Sequence, residues 1–154
     1  MTKIFLSYSK PQNKQQNIVI KYIKKYLQKE GFNLIEVKSE NYYVSPIYII
    51  NNAIKECDYF LCIVYEKEKI ILKNGSALYF TSPWLDIEIA LAISHSLPFF
   101  IIKEEKLIKT ALLNSTDSLP YCSLPNTLNN TIDTNYLKYI IMPQIINSIH
   151  SAIY

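Results

Sequence analysis

The sequence predicts an α/β domain built on an open parallel sheet, and three observations carry that expectation. Short apolar runs alternate with segments of helical periodicity in the order strand, helix, strand, helix, strand, helix, strand, a pattern that covers both faces of a sheet with helices. The run from Cys57 to Tyr65 (Cys-Asp-Tyr-Phe-Leu-Cys-Ile-Val-Tyr) is nearly continuous in apolar residues, as a strand buried on both faces must be. A chain of 154 residues, 49% hydrophobic and 19% charged, can enclose one substantial core and is too short for two, so one domain over 1–154 is expected.

Taken in order, Lys3 to Tyr8 is an apolar first strand, and Ser9, Lys10, Pro11 and Asn13 after it are turn and cap residues. From Lys14 to Glu30, Val19, Ile23, Tyr26 and Leu27 recur at helical spacing against lysines, and Gly31 is a stop signal. Phe32 to Val37 is a second strand and 38–44 a polar loop bearing Tyr42 and Tyr43; Ser45-Pro46 then opens a helix over Ile47 to Glu56 with Ile47, Ile50 and Ile54 inward. Beyond the central strand, Lys73-Asn74-Gly75-Ser76 between two apolar triplets or quartets predicts a hairpin, although a helix and loop also fit. Ser82-Pro83 starts the next helix and Phe99 to Lys103 is a fourth strand. Residues 104–130 read as loops, with a short helix at 107–113 and a short edge strand at 121–123. Thr134 to Tyr154 returns to helical spacing, kinked or split at Pro143. The expected architecture is flavodoxin-like, with four to five parallel strands.

Other classes are excluded on composition. The longest apolar runs, such as Tyr59 to Tyr65 and Leu97 to Ile102, fall far short of the roughly 20 residues a membrane span needs. No leader-like segment opens the sequence, and Cys57, Cys62 and Cys122 form no CxxC pair; a soluble, cytoplasmic protein with buried thiols is expected. The net charge of +3 comes from scattered lysines, and the cluster Lys21, Lys24 and Lys25 reads as a solvated helix face rather than a nucleic-acid surface. Asp58 precedes or caps the central strand, and with no ligand cluster beside it no metal is expected.

The stretch Ser82 to Ala92 raises a chemical question. At about 100° per residue, Trp84, Glu88, Leu91 and His95 share a narrow stripe while apolar residues fill most of the remaining circumference, which predicts a largely buried helix. A carboxylate there is costly unless it is paired, hydrogen-bonded or facing a cleft. In open α/β sheets ligands bind outside the carboxyl ends of the strands. The site is therefore expected at Ser7 to Lys10, the Tyr42-Tyr43 loop and the start of the Trp84 helix. His95, two turns further on, and His150 fall outside it as structural or surface histidines.

Phe5-Leu6-Ser7-Tyr8-Ser9, Gly31-Phe32, Ile54-Lys55-Glu56-Cys57-Asp58, and Ser82-Pro83-Trp84-Leu85-Asp86-Ile87-Glu88 followed by Leu97-Pro98-Phe99-Phe100-Ile101-Ile102 together resemble a Toll/interleukin receptor (TIR) domain, most strongly over 3–103. A domain of this size resembles the small standalone bacterial TIR proteins that consume NAD+. The resemblance implies that Glu88 cleaves the nicotinamide–ribose bond of NAD+ as substrate, with no separate cofactor. It implies contacts from Phe5, Ser7, Tyr8, Ser9, Lys10, Tyr43 and Trp84, self-association through TIR–TIR contacts, and a product of the ADP-ribose type read by a downstream effector in antiphage defence. The chemistry suits a lone carboxylate: nicotinamide leaves without a general acid, and the oxocarbenium-like ribose is stabilised by a nearby negative charge.

The chain departs from the family in lacking a glycine in the loop after the second strand and in keeping only Lys10 of the basic residues after the first. Residues 66–81 are long enough for a lid or a partner surface. Two other readings remain open on sequence: a non-enzymatic TIR adaptor, and an enzyme resembling nucleoside deoxyribosyltransferases, which share the α/β plan and a glutamate acting at an anomeric carbon. The acidic substrate-binding positions near the second strand of that last family are not evident in the sequence.

Overall fold

The computed structural model describes residues 1–37, 45–105, 120–125, 127 and 131–153. Its strands, in chain order, are β1 (Lys3–Tyr8), β2 (Asn33–Ile35), β3 (Tyr59–Val64), β4 (Glu68–Ile71), β5 (Ala77–Phe80), β6 (Phe99–Glu104) and β7 (Tyr121–Leu124). Five of them form one parallel sheet in the order β2-β1-β3-β6-β7, with β3 at its centre. This is the flavodoxin-like order, and it creates a switch point where β1 and β3 lie side by side while their connections leave in opposite directions. The predicted hairpin forms as a separate antiparallel pair, β4 with β5. Its turn depends on Gly75 at φ +80° and on the Asn74 side chain, which accepts from the Ser76 N–H at 3.0 Å.

Helices α1 (Lys14–Lys29), α2 (Pro46–Lys55) and α3 (Pro83–Ser94) connect the strands. Alternation along β3 divides the core. Tyr59, Leu61, Ile63 and Tyr65 pack with α1 and the C-terminal helix, whereas Phe60, Cys62 and Val64 pack with α2 and α3. All residues of β3 are fully buried, as its apolar run predicts.

The C-terminal helical stretch begins with a single turn (Thr134–Tyr136), widens into a π-helix (Leu137–Ile141) and continues as α4 (Met142–Ile153). Pro143 has no N–H to offer the preceding turn. The wider turn absorbs this: Met142 N–H reaches back five residues to Leu137 O, and the Gln144 side chain donates to Ile140 O at 3.0 Å.

Three sequence expectations are corrected. Only Leu85, Ile89 and Ala92 of α3 are buried, at the i, i+4, i+7 spacing of one face; Trp84, Ala90 and Ile93 are exposed, because the helix packs on β1, β3 and α2 from one side only. The apolar composition all round this helix conceals which face turns inward. Ile47 is 46% exposed rather than inward, since the inward face of α2 is the one that carries Ile50 and Ile54. The second strand stops at Ile35, two residues short of the apolar run. The helix expected at 107–113 lies outside the described residues.

Candidate active site

The carboxyl ends of β1, β2 and β3 open onto a cleft of about 790 Å³. Its floor is the β1 segment from Phe5 to Tyr8. One wall is the loop from Ser9 to Pro11, another is Glu36 and Val37 after β2, and Ser82, Trp84 and Glu88 close it from α3. The volume lies within the roughly 300–1,000 Å³ range of small-molecule sites.

Glu88 enters because α3 starts at this edge. Pro83 occupies the first helical turn, and Leu85 N–H bonds to Ser82 O at 3.1 Å. The Ser82 hydroxyl makes no cap bond; the residue is buried against the cleft instead. One turn after Trp84, the Glu88 carboxylate accepts a hydrogen bond from the Ser7 hydroxyl. Ser7 sits in β1 opposite Cys62 of β3, and the buried Cys62 thiol approaches the same hydroxyl at 3.7 Å. Burial raises the Glu88 pKa above its ordinary 4.5, and the Ser7 hydrogen bond opposes that rise. Burial pushes the Cys62 thiol up as well, so it stays protonated and donates.

A second polar group faces the cleft from the other side. Tyr8 donates to Glu36 Oε2 at 2.7 Å, and Lys24 Nζ reaches the same oxygen at 2.6 Å and the Tyr8 hydroxyl at 2.7 Å. Burial raises the Tyr8 phenol, keeping it neutral. For Lys24, burial works against the charge, but bonds to Glu36 and Tyr8 outweigh it and the ammonium is held above its ordinary value. Lys24 is thus committed to this group, which corrects the reading of Lys21, Lys24 and Lys25 as one solvated face. Glu36 is also an acidic residue after the second strand that lines the cleft. The sequence hid it inside a predicted strand that ends one residue earlier.

The loop walls are anchored from beneath. Asn13 caps α1 by accepting from Gln16 N–H at 2.9 Å. The fully buried Gln16 accepts from Gln12 N–H at 2.7 Å and donates to Glu66 O at 3.3 Å. Glu104, fully buried at the end of β6, accepts Glu66 N–H at 2.7 Å and both the N–H and hydroxyl of Thr127. Sequence reading assigned Glu104 to a loop; it is the last residue of β6, which runs one residue further than the apolar run.

Of the expected site residues, Phe5, Ser7, Tyr8, Ser9, Lys10, Trp84 and Glu88 all line this cleft. Tyr43 lies outside the described residues. Phe5 is 1% exposed and stacks on Phe60 at 5.7 Å, so its ring face is committed to the core, whereas Trp84 is 47% exposed at the mouth. His95 caps the far end of α3 and bonds Asn51 at 2.8 Å, away from the cleft.

Fold and site together define a flavodoxin-like α/β chain with a carboxylate-bearing cleft at the switch point of its sheet. No family model and no curated sequence matches it. Among solved structures, the chain superposes on the CMP N-glycosidase BcmB of Clostridium botulinum with a TM-score of 0.58 and 18% identity, over 92% of this chain and 99% of that one. It superposes on a 2-deoxyribosyltransferase of Bacillus psychrosaccharolyticus with a TM-score of 0.50 and 18% identity, over 87% and 95% of the two chains. A flavo di-iron protein variant of Thermotoga maritima gives 0.61 at 12% identity, over 99% of this chain and 36% of that one. At such identities the likeness establishes the fold.

Proposed function

We propose that the protein cleaves or transfers an N-glycosidic bond of a nucleoside or nucleotide, with Glu88 acting at the anomeric carbon. The observation that carries this reading is the Glu88 carboxylate, set by Ser7 into a cleft of nucleotide size at the carboxyl edge of β1 and β3. In the nucleophilic form of the step, a Glu88 oxygen bonds to C1′ as the C1′–N bond breaks and the base leaves with the bonding pair. Water or a second base then attacks C1′ and releases Glu88. In the electrostatic form, the carboxylate stabilises the oxocarbenium-like ribosyl group while the acceptor attacks directly. The structural likeness to an N-glycosidase and a deoxyribosyltransferase supports this substrate class, and Glu36 supplies the acidic position after the second strand that the sequence alone did not reveal.

A second reading within the same chemistry takes NAD+ as the substrate. The ordered TIR-like motifs ending in Trp84 and Glu88 favour it, as does a cleft near the upper end of the small-molecule range with an exposed tryptophan at its mouth. One assay separates the two. Wild type and Glu88→Gln are incubated with deoxynucleosides plus a free base, with nucleoside 5′-monophosphates and with NAD+, and the released or exchanged base is measured by chromatography. The expected result is turnover of one substrate class, reduced on the order of 10³-fold by Glu88→Gln. Full turnover by the variant, or no base released from any of the three, overturns the proposal.

A further inference from the structure

Two cations line the cleft: Lys10, which the TIR resemblance places against the substrate without saying which part of it, and Lys67, which the sequence did not single out. Lys10, in the loop after β1, and Lys67, at the foot of the β4–β5 hairpin, both line it and are both exposed. Neither carries an ion pair among the described residues, unlike Lys24, whose charge is committed to Glu36. Their backbones are held. Lys67 N–H donates to Phe80 O at 2.8 Å, closing the base of the hairpin, and Lys10 O accepts from the Gln12 side chain at 2.8 Å. Gln16 joins the two loops by bonding Gln12 N–H and Glu66 O, the neighbour of Lys67. Ser9, next to Lys10 in the chain, lines the same cleft. It is 6% exposed, and its hydroxyl has no hydrogen-bond partner among the described residues. A buried hydroxyl without a partner is costly and calls for an explanation, which a polar ligand group supplies. Two flexible ammonium groups carried on cross-linked loops suit a phosphate, which accepts charge-assisted bonds from several directions.

We propose that Lys10, Lys67 and Ser9 form a phosphate subsite at the mouth of the cleft, so that the substrate is a phosphorylated ribosyl compound rather than a free nucleoside. This rests on the reading of Glu88 as the group at the anomeric carbon. A nucleoside 5′-monophosphate and the pyrophosphate of a dinucleotide present the same chemistry to the subsite.

Calorimetric titration of the Glu88→Gln protein tests it without turnover. The probes are a nucleoside 5′-monophosphate, the matching nucleoside, NAD+ and inorganic pyrophosphate, each also titrated into Glu88→Gln carrying Lys10→Met or Lys67→Met. One phosphorylated ribosyl ligand is expected to bind about tenfold or more tightly than the nucleoside, with each lysine substitution removing about tenfold and leaving nucleoside binding unchanged. Whether the monophosphate or NAD+ shows this dependence identifies the source of the phosphate. Equal affinity for nucleoside and nucleotide, or undiminished binding of the phosphorylated ligand by both lysine variants, overturns the subsite. Failure of the glycosidic reading looks different: pyrophosphate then binds in a lysine-dependent way while wild-type protein releases base from no ribosyl compound.

Discussion

At the scale of the residue, the site is governed by how Glu88 is held. Burial raises its pKa above 4.5 and the Ser7 hydroxyl pulls it back, so on the proposed function the acid limb of the pH–rate profile belongs above the usual carboxylate range. Ser7→Ala removes the bond that opposes the rise, along with the acceptor of the buried Cys62 thiol. It is expected to move that limb to higher pH, whereas a purely structural role for Ser7 would lower the rate at every pH without moving the limb. Glu88 also costs stability. A carboxyl with a raised native pKa holds its proton in the folded state at pH values where the unfolded chain has lost it, so stability falls as pH rises from 4.5 through the native pKa. Glu88→Gln removes this penalty. Thermal unfolding at pH 7 should give a higher Tm for the variant than for wild type, with the difference vanishing below 4.5; a lower Tm at pH 7 would mean that the bond to Ser7 outweighs burial.

At the scale of the element, two helices end by the same device with different residues. After α1, Phe32 N–H bonds Leu27 O and Gly31 N–H bonds Gln28 O, with Gly31 at φ +85°. After α3, Leu97 N–H bonds Ala92 O and Ser96 N–H bonds Ile93 O, with Ser96 at φ +53°. The first stop was legible because glycine announces it. The second was not, since a serine in the left-handed region carries no sequence signal. A side chain costs about 1 kcal/mol in that conformation. Ser96→Gly is therefore expected to raise stability by about that amount and Gly31→Ala to lower it similarly, read as opposite shifts of the urea midpoint at constant m-value. The same logic explains what else was readable. Continuous apolar β3 and the lysine-faced α1 follow from side-chain pattern, and so does the Asn74-Gly75 turn. The π-helical turn over 137–141 differs from an α-helix only in hydrogen-bond register, and the exposed faces of α2 and α3 depend on where the sheet ends. Glu36 and Glu104 were missed because a strand boundary shifted by one or two residues decides whether a carboxylate faces a cleft, a core or water.

At the scale of the whole molecule, the sheet separates stability from chemistry. Its two faces are independent packing problems: α1 and α4 cover one with Val19, Ile23, Ile145 and Ile149, while α2 and α3 cover the other with Ile50, Ile54, Leu85 and Ile89. Only the second layer carries Glu88, so only there does a cavity let the carboxylate shift relative to Ser7. Ile145→Ala and Ile89→Ala each remove a side chain at most 1% exposed, and each should cost about 2–5 kcal/mol in chemical denaturation. Their kinetic consequences diverge. Ile145→Ala relaxes on the face that does not carry Glu88 and, on the proposed function, should leave kcat for base release unchanged under conditions where the protein remains folded. Ile89→Ala loosens α3 one residue from Glu88, where a displacement of about 1 Å can cost on the order of 10²-fold in rate. Equal kcat in both variants would show that Glu88 is positioned by its bond to Ser7 alone and that the packing of α3 contributes nothing to the alignment.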